Sequence, residues 1–169
     1  MAAHRDTESR LPDDIKVDRY IEADDILVLP NSKGEDFRWR AIHTPGHARG
    51  HLVFFEENLG TLVSDDLIVG LGTVLIAPPE GNMVQYFDSL RYLHTLPLGF
   101  TLPAHGPPIA ASKAKIEEYI AHRTMRETKI IESLTEPLGS MDIVKKVYTD
   151  VPVQVYPLAE INVKAHLEK

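Results

Sequence analysis

The sequence predicts an α/β fold: short strands, then a helix and one more strand, followed by a helical tail. Three observations carry this expectation. Apolar runs such as Leu52-Val53-Phe54-Phe55 and Thr61-Leu62-Val63 are strand-length and bounded by turn residues. An apolar period near 3.6 residues begins after Asn82 and gives way to another strand-like run at Phe100. From Ala111 onward the composition shifts to helix formers.

The elements follow in order. Residues 1–24 show no sustained periodicity and read as an irregular lead-in. Asp25-Ile26-Leu27-Val28-Leu29-Pro30 reads as a strand stopped by proline, and Asn31-Ser32-Lys33-Gly34 as a turn. Phe37, Trp39 and Ala41 alternate with Arg38, Arg40 and Ile42, which makes a half-buried strand and completes a hairpin. Thr44-Pro45-Gly46 ends it, so His43 and His47 flank a loop at its C-terminal end. The next two strands are joined by the turn Glu56-Glu57-Asn58-Leu59-Gly60, and Ser64-Asp65-Asp66 follows directly. Gly70 through Pro79 is a loop. Asn82 is the expected cap of a helix through Leu96, with Val84, Phe87, Leu90 or Arg91, and His94 along one face. Phe100-Thr101-Leu102-Pro103 is a brief strand, and Ala104-His105-Gly106-Pro107-Pro108 the loop after it. The tail holds helices at about Ser112 to Leu134, Met141 to Tyr148, and Pro157 to the end. Leu158, Ile161, Ala165 and Leu167 are expected to share one side of the last. This divides the chain into the lead-in, an α/β region at 25–110 and a helical region at 111–169.

Composition narrows the function classes. Of 169 residues, 43% are hydrophobic and 25% charged, the balance of a soluble globular protein. No apolar run approaches the ~20 residues that span a bilayer, and Met1 to Asp6 lack the apolar stretch of a secretory signal, so a cytoplasmic protein is expected. Cysteine is absent, which excludes disulfides and thiolate metal sites. The net charge of −7 disfavours broad affinity for nucleic acid. Lys113, Lys115, Arg123, Arg126 and Lys129 load one later helix, and are expected to form a solvated face.

Chemistry concentrates at strand ends. His47, Asp66 and His105 each lie in a loop that leaves a strand, and imidazole and carboxylate are ligands that zinc and related metals prefer. His43 and His51 have no such support and read as loop-packing residues.

Thr44-Pro45-Gly46-His47, then Ser64-Asp65-Asp66, then Pro103-Ala104-His105-Gly106-Pro107 resemble the last three motifs of the metallo-β-lactamase superfamily. The resemblance implies one half of the αββα sandwich of that family. It also implies two zinc sites, to which His47, Asp66 (bridging) and His105 contribute. The family's aspartate motif usually has glycine where this chain has Asp65, which places Asp65 at the small-residue position and Asp66 as the ligand. Lys115 to Arg123, Met141 to Tyr148 and Ala159 to Lys169 resemble the branch with a winged-helix-like C-terminal domain, which includes β-lactamase-like endoribonucleases and bacterial hydrolases. The tail stops where a wing hairpin should follow.

The resemblance implies hydrolysis of an ester, thioester or phosphodiester by a metal-bound hydroxide, with small molecules or RNA as substrate and no separate general base. The early His-x-His-x-Asp-His motif is missing, since no His-x-His occurs. The chain therefore reads as an incomplete enzyme, inactive alone, forming a homodimer or joining a chain that supplies the first half. A non-catalytic oligomerisation or binding module is the alternative. A nucleic-acid-binding tail is a third possibility, against which the acidic total and missing wing weigh.

Overall fold

The computed structural model describes residues 17–169; most of the expected lead-in lies outside them. Strand β1 (Ile26–Pro30) pairs antiparallel with β2 (Asp36–His43), Leu27 opposite Trp39. Asn31 closes their turn by accepting the amides of Lys33 and Glu35 on Oδ1 at 2.8 and 3.0 Å. β3 (Leu52–Glu56) and β4 (Thr61–Asp65) continue the antiparallel meander. The buried Glu56 carboxylate caps their turn through the Leu59 amide at 2.7 Å. Helix α1 (Met83–Thr95) then crosses over, and β5 (Phe100–Pro103) pairs parallel with β4, as a helical crossover permits. The sheet order is β1-β2-β3-β4-β5. Helices α2 (Ser112–Ser133), α3 (Ser140–Val147) and α4 (Tyr156–Leu167) complete the chain. The expected α/β composition and helical tail are thus both present.

Strand alternation gives the sheet two unlike faces. One face carries Ile42, Val53, Phe55 and Leu62, which pack against Phe87 and Leu90 of α1 and Ile116 and Tyr119 of α2 in the main core. The opposite face carries Leu29, Trp39, Phe54, Val63, Phe100 and Leu102, side by side in the strand register. On this face Leu29 and Leu102 are 53% and 37% exposed, while Trp39, Phe54 and Val63 are half-buried. A second cluster joins Ile130 of α2 to Ile143, Val144 and Val147 of α3 and Val163 of α4. Among the described residues, no helix is long and apolar enough to cross a membrane.

Three expectations are corrected. The buried face of α1 is Met83, Tyr86, Phe87, Leu90 and Leu93, whereas Val84 is exposed and His94 pairs with Glu117 at 2.7 Å. The face is turned because Tyr86 points inward, donating its hydroxyl to the Leu67 carbonyl at 2.9 Å. In α4 the buried residues are Ala159, Val163, Ala165 and His166, while Leu158 and Leu167 are about half exposed. That helix touches both cores, and an unforeseen 3₁₀ turn, Val153–Val155, sets its approach. Finally, Arg123 and Arg126 are buried, so the basic residues of α2 are not one solvated face.

Candidate metal centre

The loop that carries His47 is fastened to α1. Ser89 Oγ donates to the Pro45 carbonyl at 2.7 Å, and the Asn82 amide donates to the Gly46 carbonyl at 2.8 Å. Gly46 has φ of 136°, and a Cβ there would lie 2.3 Å from Tyr86 Cα, so glycine is required both by conformation and by close approach. His47 leaves this turn half-buried, with Nδ1 2.9 Å from the Leu75 carbonyl. Only a protonated Nδ1 can pair with a carbonyl. The neutral ring therefore keeps its lone pair on Nε2, the form in which histidine binds metals.

Asp66 and His105 sit at neighbouring strand ends. The ladder between β4 and β5 is irregular at Val63/Asp65, and Asp65 takes a left-handed φ of 46°. That conformation explains how this chain departs from the glycine usual there, since aspartate is one of the few side chains that tolerate it. The turn continues through Ser64 Oγ, which donates to the Ile68 carbonyl at 2.9 Å. The Ala104 amide donates to the Asp65 carbonyl at 3.3 Å, and the Gly70 amide to the His105 carbonyl at 2.8 Å. These cross-links hold His105 Nε2 3.5 Å from Asp66 Oδ1. The His105 side chain is 77% exposed, so this part of the centre is open to solvent.

His51 joins the two groups, which sequence reasoning missed. Its ring lies edge-on to His47 with centroids 6.1 Å apart, Nδ1 is 3.0 Å from Thr44 Oγ1, and Nε2 is 3.5 Å from Asp65 Oδ2. Burial, opposed by the Asp65 carboxylate, lowers its pKa, and Nε2 has no hydrogen-bond partner among the described residues. No local pattern marks His51, because its role depends on β3 returning beside the Asp65 turn. His43 points elsewhere, with Nε2 2.7 Å from the Arg49 carbonyl. Among the described residues, no group of three or more His, Asp or Glu side chains is gathered closely enough to hold a metal ion.

Comparisons with known proteins bear on the fold and the family. Residues 139–169 match the family model of the β-lactamase-associated winged helix domain. The chain is 36% identical over 154 residues to a β-lactamase-like protein 2 homologue of Drosophila melanogaster, covering 86% of this chain and 51% of the relative. A homologue of the same name from Caenorhabditis elegans is 36% identical over 132 residues, 77% of this chain and 43% of the relative. The chain thus spans about half the length of these relatives. A metallo-β-lactamase family protein from Thermus thermophilus superposes with a TM-score of 0.72 at 24% identity, over 88% of this chain and 47% of that one. A β-lactamase domain protein from Burkholderia ambifaria gives 0.73 at 23% identity, over 88% and 45%. The fold is thus that of the metallo-β-lactamases, and the chain is similar to β-lactamase-like proteins, with a C-terminal segment that matches the β-lactamase-associated winged helix domain.

Proposed function

We propose that this chain is one part of a metal-dependent hydrolase, contributing His47, Asp66 and His105 to a zinc centre completed by ligands from outside the described residues. The observation that best supports this is the fixed Nδ1–H form of His47, beside a paired Asp66 and His105 at the adjacent strand ends. Imidazole and carboxylate donors suit zinc, but among the described residues these three side chains are not gathered into one group, and a site needs roughly three ligands on a single metal. When bound, the metal would supply Lewis-acid activation of a water for hydrolysis of an ester, thioester or phosphodiester. The chain's own residues have narrower tasks. His47 offers Nε2 in a set direction, Asp66 and His105 offer a carboxylate and an exposed imidazole, and His51 lies between the His47 loop and the Asp65 turn. The open apolar sheet face is where the segment bearing the remaining ligands would pack. Alone, the chain is a poor catalyst.

The test compares zinc content, by mass spectrometry, of the chain alone and mixed with the part of the Drosophila melanogaster relative outside the match. The chain alone should lose zinc on dialysis and show no hydrolysis. The mixture should retain near-stoichiometric zinc, which His47→Ala removes. Zinc-dependent hydrolysis by the chain alone, abolished by His47→Ala, would overturn its incompleteness. A stable mixture without metal would favour a non-catalytic association module, which the open sheet face also suits.

A further inference from the structure

We infer that the helical tail sets the orientation of His47, through a clamp formed by Arg123 and Asn162 on the main chain either side of Leu75. This rests on His47 being a metal ligand, but the clamp itself is independent of metal. The loop after the Asp66 turn carries Val74, Leu75 and Ile76 in succession, and the Leu75 carbonyl accepts the Nδ1–H of His47 at 2.9 Å. Both flanking peptide groups are held by the tail. Arg123 of α2 donates through one terminal nitrogen to the Val74 carbonyl. The Ile76 amide donates to Asn162 Oδ1 of α4 at 3.1 Å. The two clamp residues also bind each other, since the other terminal nitrogen of Arg123 donates to the same Asn162 oxygen at 3.1 Å.

The clamp is rigid for physical reasons. Arg123 is buried, its guanidinium lies 5.5 Å from the Tyr86 ring centroid, and Tyr86 in turn abuts Gly46 at the start of the His47 loop. The planar guanidinium presents its donors in a fixed fork that meets a carbonyl and an amide oxygen together, whereas a lysine offers a point charge on a flexible stem. Val74 and Ile76 are themselves buried, so releasing either clamp bond leaves a polar group unpaired and gives the segment reason to shift. A shift of Leu75 removes the hydrogen bond that orients the His47 ring. Arg123 and Asn162 are thus positioning residues. They touch neither metal nor substrate and act through a backbone carbonyl, as outer partners of ligating histidines do.

The test is long-range ¹H–¹⁵N correlation of the His47 ring in the metal-free chain, with zinc titration of the chain mixed with the part of the Drosophila melanogaster relative outside the match as a second readout. The wild type should show a single Nδ1–H tautomer. Asn162→Leu, similar in size but lacking the acceptor, should shift His47 toward Nε2–H and weaken zinc binding about 10–100-fold. Asn162→Asp keeps the oxygen and should restore both. Arg123→Lys should act in the same direction as Asn162→Leu, which covers the case in which the latter fails to fold. An Nε2–H tautomer in the wild type, or an unchanged His47 spectrum in folded Asn162→Leu or Arg123→Lys, would overturn the clamp. Absence of zinc binding in the wild type would count against His47 as a ligand, while the tautomer measurement would still decide the clamp.

Discussion

At the scale of single residues, tolerance to substitution follows from space and solvation. Gly46 shows this most directly. Its left-handed backbone and the 2.3 Å approach to Tyr86 Cα leave no room for a methyl group. Gly46→Ala should therefore destabilise the fold by about 1–3 kcal/mol, measured by urea unfolding. His166 gives a pH dependence. It is buried, neither ring nitrogen has a hydrogen-bond partner among the described residues, and its pKa is pushed down to about 4 by burial, with Arg123 and then Lys169 and His122 acting in the same direction against Glu127. The unfolded chain takes up this proton near the ordinary histidine value, well before the folded chain does. The neutral ring's contribution is therefore complete above about pH 6.5 and lost as pH falls toward 4, by up to roughly 3 kcal/mol. Between pH 7 and pH 4.5, unfolding of His166→Leu should show a smaller loss of stability than the wild type shows.

At the scale of elements, helix boundaries are legible because capping chemistry is local. Asn82 caps α1 as its position predicts, and its Oδ1 accepts the Gln85 amide at 3.0 Å. Asn82→Ala should cost about 1 kcal/mol by thermal denaturation. The His47 loop should keep its tie to the helix, because the Gly46 carbonyl is held by the Asn82 backbone N–H, which alanine retains. Which face of a helix is buried is less legible. In α1 and α4 the apolar residues leave more than one workable stripe, and what lies opposite makes the choice. Tyr86 reaches the Leu67 carbonyl, and α4 meets two cores at once. The basic residues of α2 show the same limit. Arg123 and Arg126 look like surface charges in sequence, yet Arg126 lies under Tyr148 and donates to the Val147 carbonyl at 3.0 Å.

At the scale of the whole molecule, the sheet has one face committed to its helices and one left apolar and open. A contiguous apolar patch of this kind favours association. Trp39, the only tryptophan of the sequence, lies on that face and reports on it. Addition of a segment that packs on this face, as the proposed function requires, should shift its fluorescence to shorter wavelength. Leu102→Glu, on the same face, should prevent the shift while leaving the circular dichroism of the chain unchanged. An unshifted emission in a complex shown by sedimentation to form would place the contact elsewhere.

The sequence by itself determined the strand and helix order, the turns between them, and the placing of His47, Asp66 and His105 at strand ends. Those features depend on side-chain alternation, on proline and glycine, and on capping groups within a few residues. Only the tertiary structure decided that His51 bridges the His47 and Asp65 loops, that Asp65 adopts a left-handed turn, and that Arg123 and Asn162 secure Leu75. Each of those joins groups far apart in the chain or rests on what such groups impose locally, and the last acts through backbone atoms, which carry no mark of residue type.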